Sequence, residues 1–86
     1  MLTEKELHEL YNKVVEVVDN CLDYYTWYCA GIGEWWNDTG VTFTCHGHCT
    51  KGDGLDWDET WGIDYEGSIN ANGTTYNSFE EFKNNW

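Results

Sequence analysis

The chain has no arginine and no proline, and only four lysines, among its 86 residues. Without arginine it lacks the planar, two-pronged guanidinium that clamps phosphate and carboxylate ligands. Four lysines are too few to build a basic surface, so direct binding of DNA, RNA or anionic lipid is not expected. The absence of proline bears on no function. No apolar run approaches the roughly 20 residues that a membrane helix needs, so no membrane partner is expected. The opening MLTEKELHEL has neither a basic n-region nor an apolar h-region. No secretory leader is expected, and the protein is read as cytoplasmic. In that reducing compartment its four cysteines are expected as thiols, and the sequons at Asn37 and Asn72 carry no meaning.

What is present is acid and aromatic. Sixteen Asp and Glu face the four Lys, giving a formal net charge of -12. That exceeds the magnitude of about 2–8 usual for a small domain, and it opposes compactness through self-repulsion. Apolar residues make up 41% and aromatics 17%, too much for a disordered acidic tail. The length allows one domain, residues 1–86, with one modest core. Six Trp, six Tyr and three Phe suit such a core, because each buries a large area.

The spacing predicts an α+β fold. Thr3 and Glu6 form a capping box, and Leu2 is placed to staple onto Leu7. Leu7, Leu10, Tyr11, Val14, Val18, Cys21, Leu22, Tyr25, Tyr28 and Cys29 then recur at helical intervals. A long amphipathic helix is predicted to end near Ala30, where Gly31 and Gly33 supply stop chemistry. Residues Gly31 to Gly40 read as a loop that holds Trp35 and Trp36. From Val41 the period becomes two: Val41, Phe43, Cys45 and Cys49 share one face, and Thr42, Thr44, His46, His48 and Thr50 the other. Lys51 to Gly54 is a turn. In the run Leu55 to Ile69, Leu55, Trp57, Trp61, Ile63 and Tyr65 share a face, opposite Asp56, Asp58, Thr60, Asp64 and Glu66. Gly62 marks a bulge or break. Asn72-Gly73 signals a type I′ hairpin, and Ser78 with Glu81 opens a short terminal helix whose inward face is Phe79, Phe82 and Trp86. The expected architecture is a long N-terminal helix on a three- or four-stranded antiparallel sheet, closed by a short C-terminal helix.

Three constellations carry candidate chemistry. Asp53, Asp56, Asp58, Glu59, Asp64 and Glu66 crowd one segment, and alternation holds four of them outward on one strand face. Like charges in a row repel, which stabilises nothing by itself. The row either meets a basic partner, with Trp57 and Trp61 as anchors where exposed, or protects a sheet edge from aggregation. Cys45-His46-Gly47-His48-Cys49 suggests zinc, but strand alternation points its Cys and His apart. A four-thiolate site from Cys21, Cys29, Cys45 and Cys49 stands as an alternative to plain buried thiols and to a disulfide. No cofactor is expected. The same opposition of faces separates Cys from His as nucleophile and base, so no enzyme is expected. The aromatics Tyr24, Tyr25, Trp27, Tyr28, Trp35 and Trp36 either fill the core or form an interaction patch.

Small size, acidity, a bare cytoplasmic start and a helix-plus-meander layout resemble the small anti-defence proteins of bacteriophages. Among these the chain is most similar to anti-CRISPR inhibitors that imitate nucleic acid, with Asp56-Trp57-Asp58-Glu59 and Asp64-Tyr65-Glu66 carrying the likeness. The resemblance implies a non-catalytic, stoichiometric inhibitor in the bacterial host cell. The partner it implies is a CRISPR nuclease or another nucleic-acid-binding defence protein, met at the basic surface. A general interaction module that binds through the aromatic patch, or a small structural zinc domain, are the competing expectations.

Overall fold

The capping box forms as the sequence predicts. Thr3 Oγ1 accepts from the Glu6 N–H at 3.2 Å, and Glu6 Oε1 accepts from the Thr3 N–H at 3.0 Å. In the computed structural model, which describes residues 1–86, they open α1, Glu4–Asp19. Leu7, Tyr11, Val14 and Val18 form its buried stripe.

The helix stops well short of Ala30. Asn20 caps it, with its backbone N–H and its side-chain amide both on the Glu16 carbonyl at 3.1 and 2.8 Å. The chain then reverses into β1, Thr26–Ala30. Its aromatic residues and Thr26 suit a pleated surface better than a helix. Apolar positions at helical spacing are also compatible with this strand, and the ladder to a neighbouring strand decides between them. Asp19 Oδ1 accepts from the Ala30 N–H at 2.7 Å, tying the helix end to the strand.

Five further strands follow: β2 Trp35–Asn37, β3 Gly40–Cys49, β4 Asp56–Asp64, β5 Ile69–Ala71 and β6 Thr74–Tyr76; α2, Phe79–Asn85, ends the chain. The sheet is therefore six-stranded, not three- or four-stranded, and every pairing is antiparallel. Its order is β1-β3-β4-β5-β6, with β2 also on β3. One edge of β3 takes two partners, because β1 pairs with Cys45–Cys49 and β2 with Gly40–Thr42. Residues 35–37 read as loop in the sequence because three residues are too few to show alternation. Gly62 neither bulges nor breaks β4: the register runs unbroken from His48↔Asp56 to Gly40↔Asp64.

The Asn72-Gly73 turn has φ of 52° and 98°, the two positive values that a type I′ hairpin requires. Ser78 Oγ accepts from the Glu81 N–H at 3.1 Å, but the Glu81 carboxylate returns to Asn77 N–H, not to Ser78. Both helices contribute to one cluster of buried residues. Leu7, Tyr11, Val14, Val18 and Phe82 meet Val41, Phe43, Cys45, Trp61, Ile63, Ile69 and Ala71 there. The opposite face of the sheet, with Thr42, Thr60 and Asn70 exposed on it, contributes nothing to that core. No helix is long and apolar enough to cross a membrane.

Candidate interaction surface

The uncovered sheet face is set by register. In the β3–β4 hairpin His46 lies opposite Asp58 and His48 opposite Asp56; in β1–β3 Cys29 lies opposite His46 and Trp27 opposite His48. Residues paired across antiparallel strands share a face. Six side chains thus form a grid, with Trp27 and Cys29 on one side, two imidazoles in the middle, and two carboxylates on the other. His46 Nδ1 lies 2.9 Å from Asp58 Oδ1 and its Nε2 lies 3.6 Å from Asp56 Oδ1. His48 Nδ1 contacts the same Asp56 oxygen. The carboxylates stay open to solvent, with Asp56 57% and Asp58 71% exposed.

These contacts set the local charge. The hydrogen bond to Asp58 raises the His46 pKa above the ordinary imidazole value; desolvation opposes it, and the charges of Asp56 and Asp58 add to the rise. The hydrogen bond from His48, with the field of both imidazoles, holds Asp56 below the usual carboxylate range.

The remaining expected contact residues divide. Asp64 and Glu66 lie at the far end of β4, beyond Thr60 and Gly62, so Asp58 and Asp64 are roughly 20 Å apart along the strand. Asp64 Oδ1 accepts from the N–H groups of Glu66 and Ser68 at 2.9 and 3.0 Å and so caps the turn before β5. Glu66 belongs to that turn and not to the strand. Asp53 is exposed in the β3–β4 turn. The expected single row is therefore two separate acidic ends, and a shallow groove lined by Thr42, Gly62, Asn70 and Thr75 lies at the Asp64 end.

Two of the expected contacts fail. Trp61 is 1% exposed and packs edge-on against Phe82 and Trp86, so it has no surface to offer a partner. Glu59 is on the inner face, because it is one residue out of step with Asp56 and Asp58. Its carboxylate accepts from both Trp57 Nε1 and Trp61 Nε1, each at 2.9 Å. Trp57 is half-buried over Gly47 and meets Tyr28 edge-on.

None of the acids is neutralised by a lysine. The ion-pair contacts within 4.0 Å all come from His46 and His48. Lys13 and Lys51 instead lie over the rings of Phe79 and Tyr25. Every carboxylate except Glu59 belongs to an exposed residue.

The thiols do not surround one point. Cys45 is fully buried on the inner face, where desolvation and then the Glu59 charge push its pKa far up. Cys29 is on the outer face, and Cys21 follows α1. The helix that was expected to carry Cys21 and Cys29 on one side is absent, and so is the four-thiolate arrangement. No trio of His, Cys, Asp or Glu is set to hold a metal. Cys29, His46 and Asp58 do fall in one cross-strand row, the order of a nucleophile, a base and its orienting acid. The imidazole, however, leans to β4: both nitrogens approach carboxylates, and no hydrogen bond joins Cys29 to either.

The aromatic loop is also divided. Trp35 is 71% exposed. Trp36 turns inward, stacked on His8 at 3.8 Å, while its Nε1 donates to Glu34, whose other oxygen accepts from Tyr11. Leu22, Tyr24 and Leu55 are exposed around the end of the sheet that carries Asp56, where Cys49 N–H meets the Leu55 carbonyl and Thr50 N–H the Tyr25 carbonyl. Leu55 thus lies outside the inward face expected of it.

From the sequence, His46, His48 and Cys29 are weighed as metal ligands and Trp27 as part of an aromatic patch, and none of them is placed with the acidic row. The available signal was the H-x-H and D-x-D pair flanking one turn, which the register of a hairpin brings side by side. Comparison of the chain with protein-family models, curated proteins and solved structures gives no match.

Proposed function

We propose that the protein is a non-catalytic binder of a basic protein surface. The observation that carries this is the charge: sixteen acids, four lysines, and no ammonium group within 4.0 Å of a carboxylate. Leaving like charges uncompensated opposes folding, and such a surface instead steers a basic partner, raising association rates by about 10- to 1,000-fold. Asp56 and Asp58 on a rigid hairpin supply the acidic contact, with Asp53 beside them. The exposed Leu22, Tyr24 and Leu55 at the same end supply apolar anchorage that the inward-facing Trp57 and the buried Trp61 do not. The finer proposal follows the likeness to anti-CRISPR inhibitors: a stoichiometric competitor for the nucleic-acid-binding surface of a bacterial defence nuclease, acting in the host cytoplasm.

The test is competition against labelled target DNA on guide-loaded CRISPR nucleases. The expected result is displacement at one-to-one stoichiometry. Raised salt and the double change Asp56→Lys, Asp58→Lys each weaken it, the latter by at least about tenfold. An inhibitor indifferent to both overturns the acidic-surface reading. The exposed Trp35 favours a second reading, an interaction module that binds through aromatics. Loss of binding in Trp35→Ala together with full binding in the charge-reversed variant selects it.

A further inference from the structure

The acidic end of the sheet carries two imidazoles that the capture of a basic group does not need. They are not incidental neighbours. His46 contacts Asp58 through Nδ1 and approaches Asp56 through Nε2, and His48 Nδ1 contacts Asp56. From β4 the groups that face the imidazoles are Asp56 and Asp58; from β1 they are the Cys29 thiol and the uncharged Trp27 ring, which lies 4.8 Å from His48. The helices pack on the other side of the sheet and present nothing here. The same two carboxylates therefore accept from the imidazoles and are the acceptors that an incoming Lys or Arg requires.

We propose that His46 and His48 are a proton gate on this surface: imidazolium and a basic partner compete for Asp56 and Asp58, so acidification closes the site. The proposal rests on the reading of the protein as a binder of basic surfaces and adds its regulation. With both imidazoles neutral the four side chains sum to two negative charges; with both protonated they sum to zero. Binding then expels protons, so affinity rises with pH by up to about tenfold per pH unit for each imidazole that must lose one. Asp58 and Asp56 favour protonated His46, which moves its step upward from the ordinary imidazole value. By reciprocity the bound cation lowers the same pKa.

The experiment uses a fluorescent oligo-arginine peptide as the probe, with its affinity measured by anisotropy at constant ionic strength between about pH 5.5 and 8. The expected result for the wild-type chain is affinity that climbs with pH and then levels. The single changes His46→Gln and His48→Gln each reduce the slope. The double variant binds throughout with no slope, because glutamine keeps a donor and does not titrate. A flat wild-type profile, or a slope that persists in the double variant, overturns the gate and leaves the basic-partner reading intact. Failure of the peptide to bind either protein at any pH overturns both. A second readout follows the His46 ring protons by NMR in the free protein. Asp58→Asn is expected to lower the midpoint, and an unchanged midpoint overturns the coupling between imidazole and carboxylate.

Discussion

At the scale of single residues, the clearest lesson is that an acid's place in the pleat decides its role. Asp56, Asp58 and Glu59 are near neighbours in sequence and look alike as charge. The first two face solvent and the third faces inward, where two indole N–H groups donate to it. Glu59→Ala leaves both donors without that acceptor, one of them on the fully buried Trp61. The expected cost is about 1–3 kcal/mol in denaturant unfolding. Asp56→Asn and Asp58→Asn, at exposed carboxylates, are expected to cost less than Glu59→Ala. An Ala variant at Glu59 as stable as the wild type would show that the indoles do not depend on it. His46 adds a dependence on pH. Its raised pKa means that its contribution to stability is fully present below the ordinary imidazole value and fades as pH rises through the folded one.

At the scale of elements, the chain shows where periodicity suffices and where pairing overrides it. The first turns of α1, the β3 and β4 alternation, the Asn72-Gly73 hairpin and the start of α2 were all legible, because each rests on contacts only a few residues apart. Residues 20–30 were not. Their apolar spacing fits a helix, and only the ladder to His46, Gly47 and His48 makes β1 the better solution. Asp19 at the junction offers no signal until Ala30 is beside it. Gly40 shows how tightly β3 and β4 meet. A Cβ there would lie 2.0 Å from the Ile63 carbonyl oxygen, at a φ of +150°. Gly40→Ala is therefore expected to cost about 3 kcal/mol, the upper end of what overpacking costs. Gly73→Ala, at positive φ with nothing within 4 Å, is expected to cost only about 1–2 kcal/mol of backbone strain. Equal midpoints for the two in urea would contradict the close approach.

At the scale of the whole molecule, net charge governs behaviour. Acids cover α1, the turns and the uncovered sheet face, while no lysine pairs with any of them. Salt should stabilise such a protein by shortening the reach of repulsion, since the Debye length falls from about 30 Å at 0.01 M to about 3 Å at 1 M. A melting temperature that rises with NaCl is expected; one that falls would mean that attractive pairs outweigh repulsion. The sequence by itself determined the charge, the aromatic core composition and the local elements, because composition and short-range periodicity need no partner strand. Only the tertiary structure decided that β1 is a strand, that Trp61 and Glu59 lie inward, and that His46 and His48 stand between Asp56, Asp58 and β1. Those facts depend on register, and register is fixed by which strands meet across the sheet.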